Sequence, residues 1–297
     1  MRFVIGTSVH AGLEGYYQND RQIEPALKSF DEAAAKEYET LAKQFSGYIW
    51  DAGIQTDASQ AIDLGRSMIQ NYAVFDQGEN QLEGTVVDTE LTMDYQLVED
   101  PDIVLRGRTD LVLERHDGMW VVDHKSAKSR PNFGGLDVDD QLTGYMFLMW
   151  KTRGIIPRGA LYNVLIKSIP EGPRSLKAGG LSKDKSQKTT YDLYIAAVQQ
   201  GGHDLFEYQE FLNFLAAKGW SDFFAREWAV RNQLELEAYE RRTREKALQM
   251  YEASIFPDRL AYPEPSTFMC GGCPFLQPCK AKDDGGDYQA LLNSLFY

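Results

Sequence analysis

Residues 103–125 read Ile103-Val104-Leu105-Arg106-Gly107-Arg108-Thr109-Asp110-Leu111-Val112-Leu113-Glu114-Arg115-His116-Asp117-Gly118-Met119-Trp120-Val121-Val122-Asp123-His124-Lys125. The run Ile103 to Glu114 predicts a strand, and Trp120-Val121-Val122 begins another. His116-Asp117-Gly118 is a turn, and its Asp-Gly pair makes the two strands a hairpin. The hairpin brings Asp110 close to Asp123. Lys125 falls on the same face as Asp123, because strand side chains repeat every two residues. Adjacent carboxylates repel, so the pair is costly unless a cation lies between them. Oxygen-rich pairs suit Mg²⁺ or Mn²⁺. A lysine beside such an ion can orient water and steady charge developing on phosphorus. Taken alone, Asp-x-Lys is a very weak signal, and two exposed carboxylates with one surface lysine on a hairpin are the better reading of it. The surrounding chain has to decide.

Before the hairpin, Thr85 to Val98 is rich in Thr, Val, Leu and Tyr, as a strand should be. Residues 7–18 read as a helix capped by Thr7, and residues 25–78 as helical with breaks at Gly47 and Gly53. After it, Asp139 to Arg153 reads as a helix and Arg158 to Lys167 as a strand. Residues 168–188 form a long basic loop, Thr190 to Ala217 is mostly helical, and Phe223 to Val230 is a strand candidate. Asn232 and Glu235 make a capping box for a charged helix to about Ala253, ended by Pro257, Pro263 and Pro265. Helices before and after a hairpin-containing sheet, with one between its third and fourth strands, indicate an α/β or α+β domain.

The chain has 297 residues, 43% of them hydrophobic and 12% aromatic, enough for a real core, which excludes wholesale disorder. Its net charge of −13 excludes a uniformly basic nucleic-acid coat. Charge is segregated, however. From Lys151 to Lys188 nine basic residues face only Glu171 and Asp184, a local +7 that leaves −20 for the rest. Such a window can dock a polyanion or be a solvated loop. The apolar stretch Tyr145 to Trp150 is too short to span a bilayer, and the N-terminus lacks a signal-peptide core. The expectation is a cytoplasmic protein with no membrane partner. The three cysteines, Cys270, Cys273 and Cys279, lie within ten residues. That clustering suggests a metal or iron–sulfur site rather than disulfides.

Gly6-Thr7-Ser8-Val9-His10 near the N-terminus, Gly107 to Asp110, Asp123-His124-Lys125, and Gln141 with Tyr145 one helical turn on occur in that order. Together they resemble the RecB-type branch of the PD-(D/E)xK nuclease superfamily, which carries Gly-Thr-x-x-His, Gly-x-x-Asp, Asp-x-Lys and Gln-x-x-x-Tyr motifs in that order. The resemblance covers Gly6 to Tyr145. It implies a restriction-endonuclease-like α/β core: a mixed central sheet flanked by helices, with a helical insert and a C-terminal cysteine knuckle. It implies that His10, Asp110 and Asp123, with the backbone carbonyl of His124, bind Mg²⁺ or Mn²⁺. It further implies that Lys125 is the catalytic lysine, and that Gln141 and Tyr145 form the active-site helix pair. Glu14 reads equally as support for the site or as an ordinary helix residue. His116 and His203 are read as solvated.

Cys270-Gly271-Gly272-Cys273 and Pro278-Cys279 resemble the C-terminal half of the iron–sulfur staple of AddB-type and CRISPR-associated adaptation nucleases. There, three C-terminal cysteines join one upstream of the first motif. Five residues precede Gly6 here and none is cysteine, whereas a 4Fe–4S cluster needs four ligands. A longer N-terminus, a non-cysteine ligand, Zn²⁺, or three unligated thiols all remain open. The window Leu165 to Tyr194 resembles a segment of phage-encoded RecB-like nucleases, and no Gly-x-x-x-x-Gly-Lys motif for an ATP motor occurs.

The expectation is a single nuclease domain over 1–297. It divides into an N-terminal helical region (1–83), the catalytic sheet and motif helix (84–168), a basic loop with helices (169–256) and the cysteine knuckle with tail (257–297). The expected activity is metal-dependent hydrolysis of DNA, single-stranded or with free ends, by a phage-type exonuclease in replication, recombination or host-DNA degradation, with recombination or replication proteins as partners. Lys177, Lys183, Lys185 and Lys188 are the expected phosphate contacts. The alternatives are a CRISPR-adaptation nuclease, a restriction-type endonuclease, and a non-catalytic DNA-binding protein on the same fold.

Overall fold

A computed structural model of the chain describes residues 5–44, 52–256, 266 and 270–296. Contacts divide it into two compact units, Met1–Arg244 and Glu245–Tyr297. The first begins with three helices: α1 (Gly6–Gln18), α2 (Ile23–Gln44) and α3 (Ala52–Phe75). The strands β1 (Thr85–Val98), β2 (Ile103–Arg115) and β3 (Gly118–Ala127) follow, then α4 (Asp140–Arg153) and β4 (Gly159–Ile166). Helices α5 (Tyr191–Gln200) and α6 (Leu205–Lys218) precede β5 (Phe224–Ala229). Helix α7 (Gln233–Ile255) runs on in sequence to the second unit, which contains α8 (Leu276–Asp283) and α9 (Tyr288–Phe296).

The five strands form one sheet in the order β1-β2-β3-β4-β5. Every neighbouring pair is antiparallel except β3 and β4, which are parallel because α4 carries the chain between them. Alternation sorts the strand residues into two cores. Leu111, Leu113, Val122, Leu161 and Leu165 pack with Val9, Leu13, Phe30 and Tyr72 of α1–α3. Val112, Val121 and Ala160 pack on the other side with Leu142, Met146 and Phe147 of α4 and Leu236 of α7. Covered on both faces, β3 therefore reads Trp120-Val121-Val122 without a polar interruption, all three buried. Among the described residues, no helix is long and apolar enough to cross a membrane.

The mixed sheet and its helical layers are those the motif order implies. Local details differ. Helix α1 starts at Gly6, preceded by Ile5 with no side-chain cap, so Thr7 is inside the helix rather than capping it. Ile5 itself is buried in the core that α1 joins. Gly53 is the second described residue of α3. The break expected at Gly47, and Pro257, Pro263 and Pro265, lie outside the described residues. The capping box forms: Asn232 N–H donates to Glu235 Oε2 at 2.7 Å, and Glu235 N–H to Asn232 Oδ1 at 3.1 Å.

The 168–188 segment is pinned rather than free. Ser175 and Leu181 bridge, and the buried Gln187 accepts from Arg174 N–H and donates to the Ser182 and Asp184 carbonyls. Leu181 joins Tyr194, Val198, Tyr208, Phe211, Leu212 and Leu215 in a third core of its own.

Close packing at the start of β4 gives a direct check. A Cβ on Gly159 would lie 2.7 Å from the Ala229 backbone oxygen and would run into the Trp120 ring. The backbone cannot yield as a flexible side chain would, so Gly159→Ala is expected to destabilise the protein by about 1–3 kcal/mol in urea unfolding.

Candidate active site

The ladders place three carboxylates in one row. The pairs Thr89↔Leu111 and Leu91↔Thr109 flank Glu90 and Asp110, so these two face each other across β1 and β2. The β2–β3 ladder ends at Leu111↔Val122, and Asp110 and Asp123 are the next residues on each strand. Beyond that end, the N–H of His124 donates to Asp110 Oδ2 at 2.6 Å. On the far side, Tyr162 of β4 pairs with Asp123. From α1, His10 Nδ1 lies 3.3 Å from Asp110 Oδ1.

Glu90 adopts φ +51°, a backbone conformation rare for a residue with a side chain. Such strain is concentrated at functional positions. One ligand atom from each of His10, Glu90 and Asp110 lies within 4.8 Å of the others. The structure thus unites His10 with Asp110 and adds Glu90, while Asp123 turns towards Lys125. Glu90 was absent from the sequence-derived set. Counting β1 against β2 back from the short turn at residues 99–102 sets Leu91 opposite Asp110; the register shift between Gln96 and Val98 moves Glu90 into that place.

The row is electrostatically divided. Burial raises the Asp123 carboxyl to about 6, reinforced by the Asp110 charge and opposed by Lys125. Burial also raises Glu90, again with help from Asp110 and against Arg108, whose Nε lies 2.8 Å from Glu90 Oε2. Burial pushes Asp110 upwards too, but its hydrogen bond with His10 and the neighbouring imidazoles and backbone N–H prevail, and its carboxyl lies below the usual value. His10 is raised, because the Asp110 hydrogen bond and charge outweigh burial. Three adjacent carboxylates cannot all be ionised cheaply, and these environments split them.

Lys125 Nζ lies 2.7 Å from Asp123 Oδ2. Its aligned hydrogen bond goes instead to Gln141 Oε1, at 2.9 Å. Asp123 Oδ2 is therefore buried beside one ammonium that it shares with Gln141. A buried carboxylate oxygen in that state is suited to a cation. The His10 imidazole and the hard oxygen donors of Glu90 and Asp110 suit a divalent cation of the Mg²⁺ or Mn²⁺ type, and Asp123 is next in the row, outside that group and paired with Lys125.

Gln141 also donates to Tyr145 OH at 2.8 Å, one turn along α4. Asp139 positions this helix face twice over. Its Oδ1 caps α4 by accepting from Leu142 N–H at 2.8 Å, and its Oδ2 accepts from Tyr162 OH at 3.0 Å. Burial, then the Asp123 charge, raise the Tyr145 hydroxyl to about 12, so it stays protonated at neutral pH.

On the face of the sheet away from Asp123, the buried His124 imidazole stacks on Tyr17, with ring centres 5.7 Å apart. Burial lowers it to about 3, so the ring is neutral. Its Nδ1 lies 2.9 Å from Asn163 Nδ2. Asn163 Oδ1 accepts from Arg226 Nε at 3.0 Å, and Arg226 pairs with the buried Asp76 at 2.7 Å. None of Asn163, Arg226, Tyr72 or Asp76 was among the sequence-derived candidates.

Of the basic segment, Lys177, Lys183, Lys185 and Lys188 are all exposed. Lys183 reaches the Glu207 carbonyl over the face of Tyr208, and Lys185 lies over Phe214. Among the described residues Lys177 and Lys188 make no side-chain hydrogen bond or ion pair.

In the second unit, Cys270 and Cys273 share a turn closed by Cys273 N–H to the Cys270 carbonyl at 3.2 Å, and Cys279 lies in α8. Cys273 is exposed and the other two are half-buried. Glu14, on α1, accepts from Gln18 at 2.9 Å.

No curated protein matches the chain. One family model does, over residues 1–280. A match that begins ahead of α1 and ends within α8 covers nearly all of the sequence, and on that ground the chain belongs to the PD-(D/E)XK nuclease superfamily.

Proposed function

We propose that this chain is a Mg²⁺- or Mn²⁺-dependent deoxyribonuclease of the RecB-type branch, acting as an exonuclease on DNA with free ends. The observation that carries this reading is Lys125, held between Asp123 and Gln141 at the edge of a row of three carboxylates. A divalent cation held by His10, Glu90, Asp110 and Asp123, with the His124 carbonyl, would acidify water and neutralise charge on the scissile phosphate. Lys125 faces that same region, where its ammonium orients the attacking water and meets the negative charge that grows on the phosphoryl oxygens. Water adds to phosphorus, the P–O bond to the sugar breaks, and the departing oxygen takes a proton. Gln141 and Tyr145 keep Lys125 in place and offer the DNA end hydrogen bonds.

The exposed lysines 177, 183, 185 and 188 would hold phosphates along the strand without reading bases. The cysteine turn would bind an iron–sulfur cluster or Zn²⁺ that supports folding rather than chemistry. A cytoplasmic role in phage DNA replication, recombination or host-DNA degradation, alongside proteins of those processes, agrees with the resemblance of residues 165–194.

Three outcomes are expected. End-labelled linear DNA should be degraded with Mg²⁺ or Mn²⁺ while closed circular DNA survives, and Lys125→Ala should slow the cleavage by about 10²–10⁴-fold without loss of fold. Near wild-type cleavage by Lys125→Ala would overturn the assignment.

Replacing Lys177, Lys183 and Lys185 together should flatten the slope of log affinity against log salt by roughly two to three units. An unchanged slope would remove this loop from the DNA path.

The third concerns pH. The Asp123 carboxyl is raised in the folded protein from 3.8 to about 6. Its contribution to stability is therefore full below about pH 4 and is lost as pH rises through 6. Asp123→Asn cannot ionise. In EDTA it should stabilise the protein at pH 8 by about 1–3 kcal/mol and change little at pH 4, as read by urea unfolding.

A further inference from the structure

His124, Asn163 and Arg226 are in register on β3, β4 and β5, His124 opposite Asn163 and Asn163 opposite Arg226. Alternation puts this second row on the face of the sheet away from Asp123 and Lys125. All three side chains are largely buried, and so are the groups that meet them, Tyr72, Asp76 and Tyr17. A polar row of this kind is costly unless each member is satisfied.

Its hydrogen bonds have one consistent direction. A guanidinium only donates, so Arg226 Nε at 3.0 Å fixes the neighbouring atom of Asn163 as the amide oxygen. The amide NH₂ must then point the other way, where it meets Tyr72 OH at 2.9 Å and His124 Nδ1 at 2.9 Å. Faced by a donor, Nδ1 of the neutral ring has to accept, and the ring proton belongs on Nε2. Arg226 cannot turn to relax this order. It is held by Asp76 Oδ1 at 2.7 Å, Tyr72 OH at 3.0 Å and the Asn80 carbonyl. Asp76 is itself fixed by the Leu82 N–H at 2.7 Å. The imidazole is clamped in turn by the parallel ring of Tyr17 and by His10, edge-on with ring centres 6.3 Å apart.

We propose that Asn163 and Arg226 are positioning residues that lock His124 in one orientation and in its Nε2–H tautomer. Through that lock they set the peptide group of residue 124, whose N–H grips Asp110 Oδ2 at 2.6 Å. The inference rests on the metal-dependent reading of the carboxylate row. Its content is that the back face of the sheet determines how Asp110 is presented beside His10. Removing the donor opposite Nδ1 frees the ring, and the error passes along one residue of backbone to the ligand. Partners of this kind, one shell away from a metal ligand, are worth about 10–100-fold in metal affinity.

The test combines imidazole ¹⁵N spectra with Mn²⁺ titration of metal-free protein by calorimetry. The wild type should show His124 protonated on Nε2 alone. Asn163→Asp still accepts from Arg226 but offers His124 no donor. It should move the ring proton to Nδ1 and weaken Mn²⁺ binding about 10–100-fold while the protein remains folded.

A wild-type His124 protonated on Nδ1 overturns the proposal without need of any variant, so a misfolded Asn163→Asp does not shelter it. So does an Asn163→Asp protein that is less stable but binds Mn²⁺ as the wild type does, since the row would then only tie β3–β5 to α3. A wild type that binds no Mn²⁺ overturns the metal-dependent reading itself. That failure is told apart by the wild-type spectrum, which reports on the row whatever the metal does.

Discussion

Everything at this site follows from like charges forced into register. Glu90, Asp110 and Asp123 come from three neighbouring strands, and the ladder fixes their spacing before any side chain has a choice. Burial makes the crowding expensive, because each ionised carboxylate raises the cost of the next. The surroundings answer the three differently. Asp110 has an imidazole and a backbone N–H, Glu90 has Arg108, and Asp123 has a lysine that spends its best-aligned bond on Gln141. The outcome is one carboxyl below its usual value and two above it. A site strained in this way has a reason to bind positive charge, independent of any likeness to other nucleases.

Helix α4 is the counterpart of that row. It is needed to carry the chain between parallel β3 and β4, and the same helix supplies Gln141 and Tyr145. Its capping residue, Asp139, also reaches Tyr162, which pairs across the ladder with Asp123. Helix start, strand pairing and lysine placement are therefore one connected set of bonds. Precision at Lys125 comes from regular elements, which hold a geometry better than loops do.

The sequence made the front of this arrangement legible because its rules are local. The turn signal after β2 shows that β2 and β3 form a hairpin, and period-two alternation puts Lys125 beside Asp123; the register itself comes from a His116-Asp117 loop that sets Arg115 opposite Gly118, one residue earlier than an Asp-Gly loop would. The same logic finds the capping box at Asn232. Glu90 was within reach but needed the β1–β2 register, which depends on counting through a turn and past a bulge. Its positive φ leaves no trace in composition. The back row was beyond reach. Asn163 meets His124 only through a parallel pairing across the α4 crossover, and Arg226 follows an insert of more than fifty residues. No local signal encodes either distance. Thr7 misled for the opposite reason: it is a strong local capping signal, yet the helix begins one residue before it, after Ile5.

The insert between β4 and β5 leaves and rejoins the sheet at one point, where the Ile166 N–H donates to the Phe223 carbonyl at 2.8 Å. Between those residues the chain builds its own small core, from Leu181 to Leu215. The length of such an excursion is nearly free once its ends are pinned, since doubling a loop adds only about 0.6 kcal/mol of closure entropy. The insert is therefore an exchangeable cassette. Its length could change at small entropic cost while the register that aligns the carboxylates stays untouched.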